Sequence, residues 1–110
     1  MSRTVVVRYQ VHPDAAEENQ RLVEQVYTEL TSTDPGGLSY ATYRLADGVT
    51  FIHVATFTGE ENPLNTTAAF ARFQEGLAKR CAQPPAPSGA AIVGSYGTRG
   101  ELPETGTRDT

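Results

Sequence analysis

The chain has 110 residues, the length of one domain able to bury roughly 65% of the surface its unfolded form exposes, so a core forms without staples and no second domain fits. With 38% hydrophobic residues, a mean hydropathy of -0.39 and no apolar run long enough for a signal peptide or a membrane span, it reads as a soluble globular protein whose expected location is the cytoplasm. A net charge of -4 argues against nucleic-acid and anionic-membrane partners, while a lone cysteine, Cys81, beside only His12 and His53 excludes an internal disulfide and a cysteine-rich zinc site.

Thr4–Val11 reads as a first strand, with Val5, Val7, Tyr9 and Val11 on one face and Val6, Arg8 and Gln10 on the other. His12-Pro13-Asp14 closes it. Pro13 suits a helix start, and Asp14, Glu17 and Glu18 complement the positive end of the helix dipole. Up to Leu30, the residues Asn19, Leu22, Val23, Val26, Tyr27 and Leu30 recur at three- and four-residue spacing, which predicts one buried stripe. Arg21, Glu24, Gln25 and Glu29 fall on the solvent side. Thr31–Gly37 is dense in turn formers and ends the helix.

Gly36–Phe57 carries the strongest local signal. Two runs of β-branched and aromatic residues flank Asp47-Gly48, a dipeptide that tolerates the positive φ values of a two-residue hairpin turn. Such a turn pairs Arg44 with Phe51, Thr42 with His53, Tyr40 with Ala55 and Leu38 with Phe57. One face then carries Leu38, Tyr40, Thr42, Arg44, Phe51, His53, Ala55 and Phe57. Rings interleaved with an imidazole, a hydroxyl and a guanidinium suit a small-molecule pocket. The other face, Ser39, Ala41, Tyr43, Leu45, Ile52, Val54 and Thr56, suits the docking of helices.

Thr58–Pro63 reads as a polar loop, and Thr66–Arg80 as a second helix burying Ala69, Phe70, Phe73, Leu77 and Cys81, with Arg72, Glu75, Lys79 and Arg80 outside. Gly76 costs that helix roughly 1 kcal/mol relative to Ala and marks a close helix–sheet contact. Pro84-Pro85-Ala86-Pro87 reads as an extended connector, and Ala90–Tyr96 as the last strand. The order is βαββαβ, an α+β class. Right-handed crossovers turn it into a ferredoxin-like, four-stranded antiparallel sheet with helices on one face. The uncovered face is expected to expose Tyr40, Phe51 and Phe57, a patch that face-to-face homodimerisation would cover. The domain is expected over 1–97, followed by a polar tail over 98–110. The tail contains Leu102-Pro103-Glu104-Thr105-Gly106, the sortase pentapeptide, without the flanking segments of a sorting signal.

Gly36, Leu38 and Ser39, then Asp47-Gly48, then a strand with His53 four positions before Phe57, resemble the antibiotic biosynthesis monooxygenase family of the dimeric α+β barrel superfamily. The family pattern has a Gly-x-Leu-Ser start, an Asp-Gly turn, and an Asn or other polar residue four positions before a Trp. The resemblance runs over Gly36–Phe57 and, more loosely, over the element order. It implies a homodimer whose two sheets enclose pockets, and cofactor-independent oxygenation of phenolic or anthrone-like substrates. Some relatives act on quinols, degrade haem or have no demonstrated chemistry. His53 stands where the family's Asn would be and Phe57 where the Trp would be. The family's Tyr falls near Pro63 and its helix-region His near Leu64, and the chain contains no Trp.

His53 is the candidate catalytic residue, as a base removing a phenolic proton; the bland alternative is a cross-hairpin hydrogen bond to Thr42 or a place at the dimer seam. Tyr40, Thr42, Arg44, Phe51 and Phe57 are the candidate substrate-binding residues. Phe51, Phe57 and Tyr40 equally suit an interface core. No residue set points to a metal, and without a Gly-x-Gly-x-x-Gly or Walker motif no nucleotide or flavin cofactor is expected. The competing functions are a non-catalytic ligand-binding or interaction dimer, and a polyketide cyclase or isomerase on the same fold.

Overall fold

The computed structural model describes residues 2–97. β1 (Ser2–Val11) leads through a 3-10 turn at Pro13–Ala15 into α1 (Ala16–Thr33). β2 (Leu38–Arg44) and β3 (Thr50–Thr58) form the hairpin. A second 3-10 turn, Pro63–Thr66, precedes α2 (Ala68–Glu75), α3 (Leu77–Arg80) and β4 (Cys81–Ala90). The sheet order is β2-β3-β1-β4 with antiparallel neighbours throughout, the ferredoxin-like arrangement expected from the element order. The expected 98–110 tail and its pentapeptide lie outside the described residues.

The hairpin register is the expected one: Leu38 opposes Phe57, Tyr40 opposes Ala55, Thr42 opposes His53 and Arg44 opposes Phe51. The turn differs in form. The Gly48 N–H donates to the Leu45 carbonyl and the Leu45 N–H to the Thr50 carbonyl, both at 2.9 Å, and of Asp47 and Gly48 only the glycine has a positive φ, 80°. Asp47 closes the loop instead with its carboxylate, which accepts the N–H groups of Val49 and Thr50 and the Thr50 hydroxyl. Those hydrogen bonds hold its carboxyl below the usual carboxylate range.

The faces are reversed. Phe51, His53, Ala55 and Phe57 are buried under the helices, whereas Tyr43 on the opposite side is 56% exposed. β1 enters the sheet with Tyr9 opposite Phe51 and Val7 opposite His53, so the bulky rings of two central strands share one face. Rings of that size fill the layer between a sheet and its helices, while the smaller Val6, Ala41 and Val54 stay on the open side. α1 supplies the polar partners this layer needs, Asn19 and Tyr27. The pocket expected between two sheets therefore lies within one chain, between its sheet and its helices.

Two other expectations are corrected. The second helix is broken at Gly76 (φ -108°), where α2 ends and α3 begins. A β-carbon there would lie 3.0 Å from a guanidinium nitrogen of Arg80, so Gly76 makes room for an arginine, not for the sheet. The last strand is Cys81–Ala90, while Ile92, Val93 and Tyr96 are 67%, 100% and 97% exposed. Pro84, Pro85 and Pro87 are tolerated because β4 is an edge strand, paired among the described residues only with β1. α2 is held at its start by the Thr67 side chain, which accepts from the Phe70 N–H, and by Glu29 of α1, which accepts from the Ala68 and Ala69 N–H groups.

Candidate functional site

Alternation along β1 sends Val5, Val7 and Tyr9 beneath the helices, and β3 places His53 and Ala55 beside them. Together with Tyr40 they form the floor of a cavity of about 260 Å³. Leu64, Phe70, Phe73 and Leu77 roof it, and Asn62, Gln74, Pro85 and Pro87 complete the lining. A cavity of roughly 150 Å³ accepts benzene, and this one has more volume than that.

His53 is 6% exposed and clasped at both ring nitrogens. The Tyr9 hydroxyl lies 2.8 Å from Nε2 and the Tyr40 hydroxyl 2.6 Å from Nδ1, with the Thr42 hydroxyl farther off, at 3.3 Å from Nδ1. The ring lies between Tyr9 and Phe73, each with its centroid 5.3 Å away. Burial without a countercharge disfavours the imidazolium and lowers its pKa from 6.5 to about 4. Burial also pushes the phenols up: Tyr40 to about 12, Tyr9 and Tyr27 further. At neutral pH the hydroxyls of Tyr9 and Tyr40 and one neutral imidazole are thus an uncharged group in the wall of a largely apolar cavity.

Behind Tyr9 the cluster continues. The Asn19 side-chain amide donates to the Tyr9 hydroxyl at 2.9 Å, and Arg80 Nε donates to Asn19 Oδ1 at 3.0 Å. Arg80 also donates to the Phe73 carbonyl at 2.7 Å and lies over the Phe73 ring. On the other side, Tyr27 and Thr42 hydrogen-bond at 2.8 Å.

Of the residues singled out in the sequence, His53 and Tyr40 line the cavity, and Thr42 reaches their hydrogen bonds from the side. Arg44 ties the hairpin to α1, donating to the Gly48 carbonyl, Gln20 and Glu17. Phe51 sits behind Tyr9, stacked at 5.6 Å, and Phe57 lies under the Arg3 guanidinium; neither lines the cavity. The sequence alone places Tyr9 on one face of its strand without saying what that face meets, puts Arg80 outside and marks Asn19 only as part of the stripe. The signal for Asn19 was present, because an amide in a buried stripe needs a partner. Arg80 gave none: helical spacing points it outward, and the turn from α3 into β4 brings it back, to 8% exposure. Among the described residues no group of His, Cys, Asp and Glu could hold a metal ion, and no helix is long and apolar enough to cross a membrane.

A four-stranded sheet roofed by helices, with an aromatic-walled cavity between the layers and a tyrosine–histidine cluster in its wall, defines a ferredoxin-like pocket protein. Residues 2–75 match the sequence pattern of the antibiotic biosynthesis monooxygenase family, and the chain belongs to that family. No curated protein matches it. Among solved structures, Rv0793 from Mycobacterium tuberculosis is 18% identical with a TM-score of 0.69, covering 86% of this chain and 98% of the other. A putative antibiotic biosynthesis monooxygenase from Bacteroides thetaiotaomicron is 14% identical with a TM-score of 0.72, covering 84% and 90%. SnoaB, a cofactor-independent oxygenase from Streptomyces nogalater, is 17% identical with a TM-score of 0.63, covering 94% and 98%. At these identities the likeness is one of fold.

Proposed function

We propose that the protein is a cofactor-independent monooxygenase-like enzyme that binds a small, flat aromatic molecule, a phenol, anthrone or quinol, in the cavity beneath its helices. One observation carries this reading: a neutral His53 held between two tyrosine hydroxyls in the wall of a cavity that, apart from Asn62 and Gln74, is otherwise lined by apolar and aromatic groups. Family membership and the fold shared with a cofactor-independent oxygenase support it.

An anthrone or phenol that has lost a proton is electron-rich enough to reduce dioxygen directly. The methylene carbon of an anthrone becomes a carbonyl, one oxygen atom enters the product and the other leaves as water. The protein's part is to bind the substrate as its anion. Tyr40, backed by Nδ1 of His53, is placed to hydrogen-bond the anionic oxygen in a site that burial keeps at low dielectric. Both nitrogens of His53 already have partners, so in this proposal it acts through Tyr40, not as a free base. The open sheet face, with Val6, Ala41, Ile52, Val54 and the exposed Tyr43, is proposed as the homodimer interface in place of the ring-bearing face expected from sequence. Light scattering is expected to give twice the chain mass of 11.8 kDa, and a monomer at micromolar concentration would refute that part.

The test of function is oxygen consumption with anthrone and 1,4-naphthalenediol as probes. Uptake above the uncatalysed rate is expected, and Tyr40→Phe or His53→Ala should lower it about 100-fold, the scale of one lost oxyanion donor. A second reading, a dimer that binds an aromatic ligand without turning it over, draws on the complete internal hydrogen bonding of His53. Ligand binding with no oxygen uptake from either probe would favour it and count against the oxygenase.

A further inference from the structure

The hydrogen bonds that run from Arg80 to Tyr40 have one direction in which every buried hydrogen finds an acceptor. A guanidinium donates and never accepts, so the Asn19 atom facing Arg80 Nε at 3.0 Å is the amide oxygen. The amide nitrogen is then the atom facing Tyr9, and it donates to the Tyr9 hydroxyl at 2.9 Å. That oxygen has a second lone pair, but the buried Tyr9 hydrogen needs an acceptor of its own, and the neighbour that supplies one is His53 Nε2, at 2.8 Å. A ring nitrogen that accepts carries no hydrogen, and a neutral imidazole has one N–H, which must be at Nδ1. Nδ1–H donates to the Tyr40 oxygen at 2.6 Å, and the Tyr40 hydrogen remains to be donated onward, to Thr42 or to a ligand. Asn19 is 0% exposed and Tyr9 2%, so bulk water does not supply alternative partners in the middle of the chain.

We infer that Arg80, acting through Asn19 and Tyr9, sets His53 in the Nδ1–H tautomer and so makes Tyr40 the hydrogen-bond donor at the cavity wall, selecting aromatic ligands that present an acceptor oxygen. Such an oxygen belongs to a ketone or to an ionised phenol or enol. Arg80 and Asn19 are positioning residues: neither lines the cavity, and each acts through the next group in the chain. The same direction opposes a second proton on His53, because with an N–H at Nε2 the buried Tyr9 hydroxyl would lose the acceptor for its own hydrogen. The burial-driven fall of the His53 pKa is in accord with this. The ligand half of the inference rests on the proposed function; the tautomer half stands on the hydrogen bonds alone.

Long-range proton–nitrogen correlation spectra of protein labelled with 15N-histidine, without any ligand, read the tautomer directly. Nδ1 of His53 is expected to be protonated and Nε2 bare at pH 7.5. In Asn19→Asp the carboxylate beside Arg80 stays ionised and only accepts, so Tyr9 turns its hydrogen toward it and His53 switches to Nε2–H. Arg80→Lys keeps a donor and the wild-type pattern. An Nε2–H signal in the wild type, or an unchanged spectrum in a folded Asn19→Asp variant, overturns the assignment; if that variant does not fold, the wild-type spectrum still decides. For the ligand half, 1-tetralone and the hydrocarbon tetralin are the probes. Tyr40→Phe should weaken the ketone about five- to tenfold, the scale of one net hydrogen bond, and leave tetralin unchanged. Equal effects on both probes would refute selection by an acceptor oxygen, whereas Nδ1–H with neither probe bound would sink the pocket reading and leave the chain's direction standing.

Discussion

Unfolding free energy should fall by roughly 3 kcal/mol through His53 alone as the pH is lowered from 6.5 to about 4. In the unfolded chain the imidazole takes up a proton near its ordinary value of 6.5, while in the folded protein burial delays that uptake to about 4. Above the unfolded value both states are neutral and the full stability is present. Between the two values only the unfolded state binds the proton, so stability drops with each unit of acid. Below the folded value both states are charged and the loss is complete. Carboxylates contribute in the same direction but at lower pH, as Asp47 does through its depressed pKa. The measurement is urea denaturation at intervals from pH 7.5 to 4, for the wild type and for His53→Gln, which has no proton to take up. A wild-type curve with the same slope as the variant in this window would show that His53 is charged in the folded state or solvated.

Tyr9→Phe is expected to cost 2–4 kcal/mol, on the order of two buried groups left without partners at about 1–3 kcal/mol each. The ring that stacks on Phe51 at 5.6 Å is kept, so packing changes little. What is lost is the hydroxyl that serves both the Asn19 amide and His53 Nε2, groups 0% and 6% exposed by residue. Tyr27→Phe is the matched comparison. It removes one hydrogen bond, to a part-buried Thr42, and should cost about 1 kcal/mol. Chemical denaturation of the two variants side by side checks the difference; equal costs would mean that the Asn19–Tyr9–His53 hydrogen bonds add nothing to the fold.

The hairpin was legible because its information is local. Alternation assigns Tyr40, Thr42, Phe51 and His53 to one face, and the turn residues assign their partners, so the register follows even though the turn closes through the Asp47 carboxylate and a single positive φ. Which face the helices cover is not local. Period-two patterning separates two faces without ranking them, and the choice came from β1, which adds Tyr9 to the ring-bearing side, and from α1, which brings Asn19 and Tyr27 within reach of it. The position of the last strand is hidden in the sequence for a related reason. Three prolines in ten residues read as a connector until the strand is known to lie at an edge, where one row of N–H groups has no partner to lose.

By itself the amino-acid order determined the βαββαβ succession, the strand pairing of the hairpin, the membership of His53 and Tyr40 in one cluster, and the buried stripe that contains Asn19. These depend on spacing along the chain, at two residues per strand repeat and about 3.6 per helical turn. The tertiary structure alone decided that the cluster faces the helices, that Arg80 turns inward beside Gly76, and that Tyr9 joins Asn19 to His53. Those outcomes depend on where separate elements meet, 61 residues apart in the case of Arg80 and Asn19, and burial then makes the direction of each hydrogen bond count.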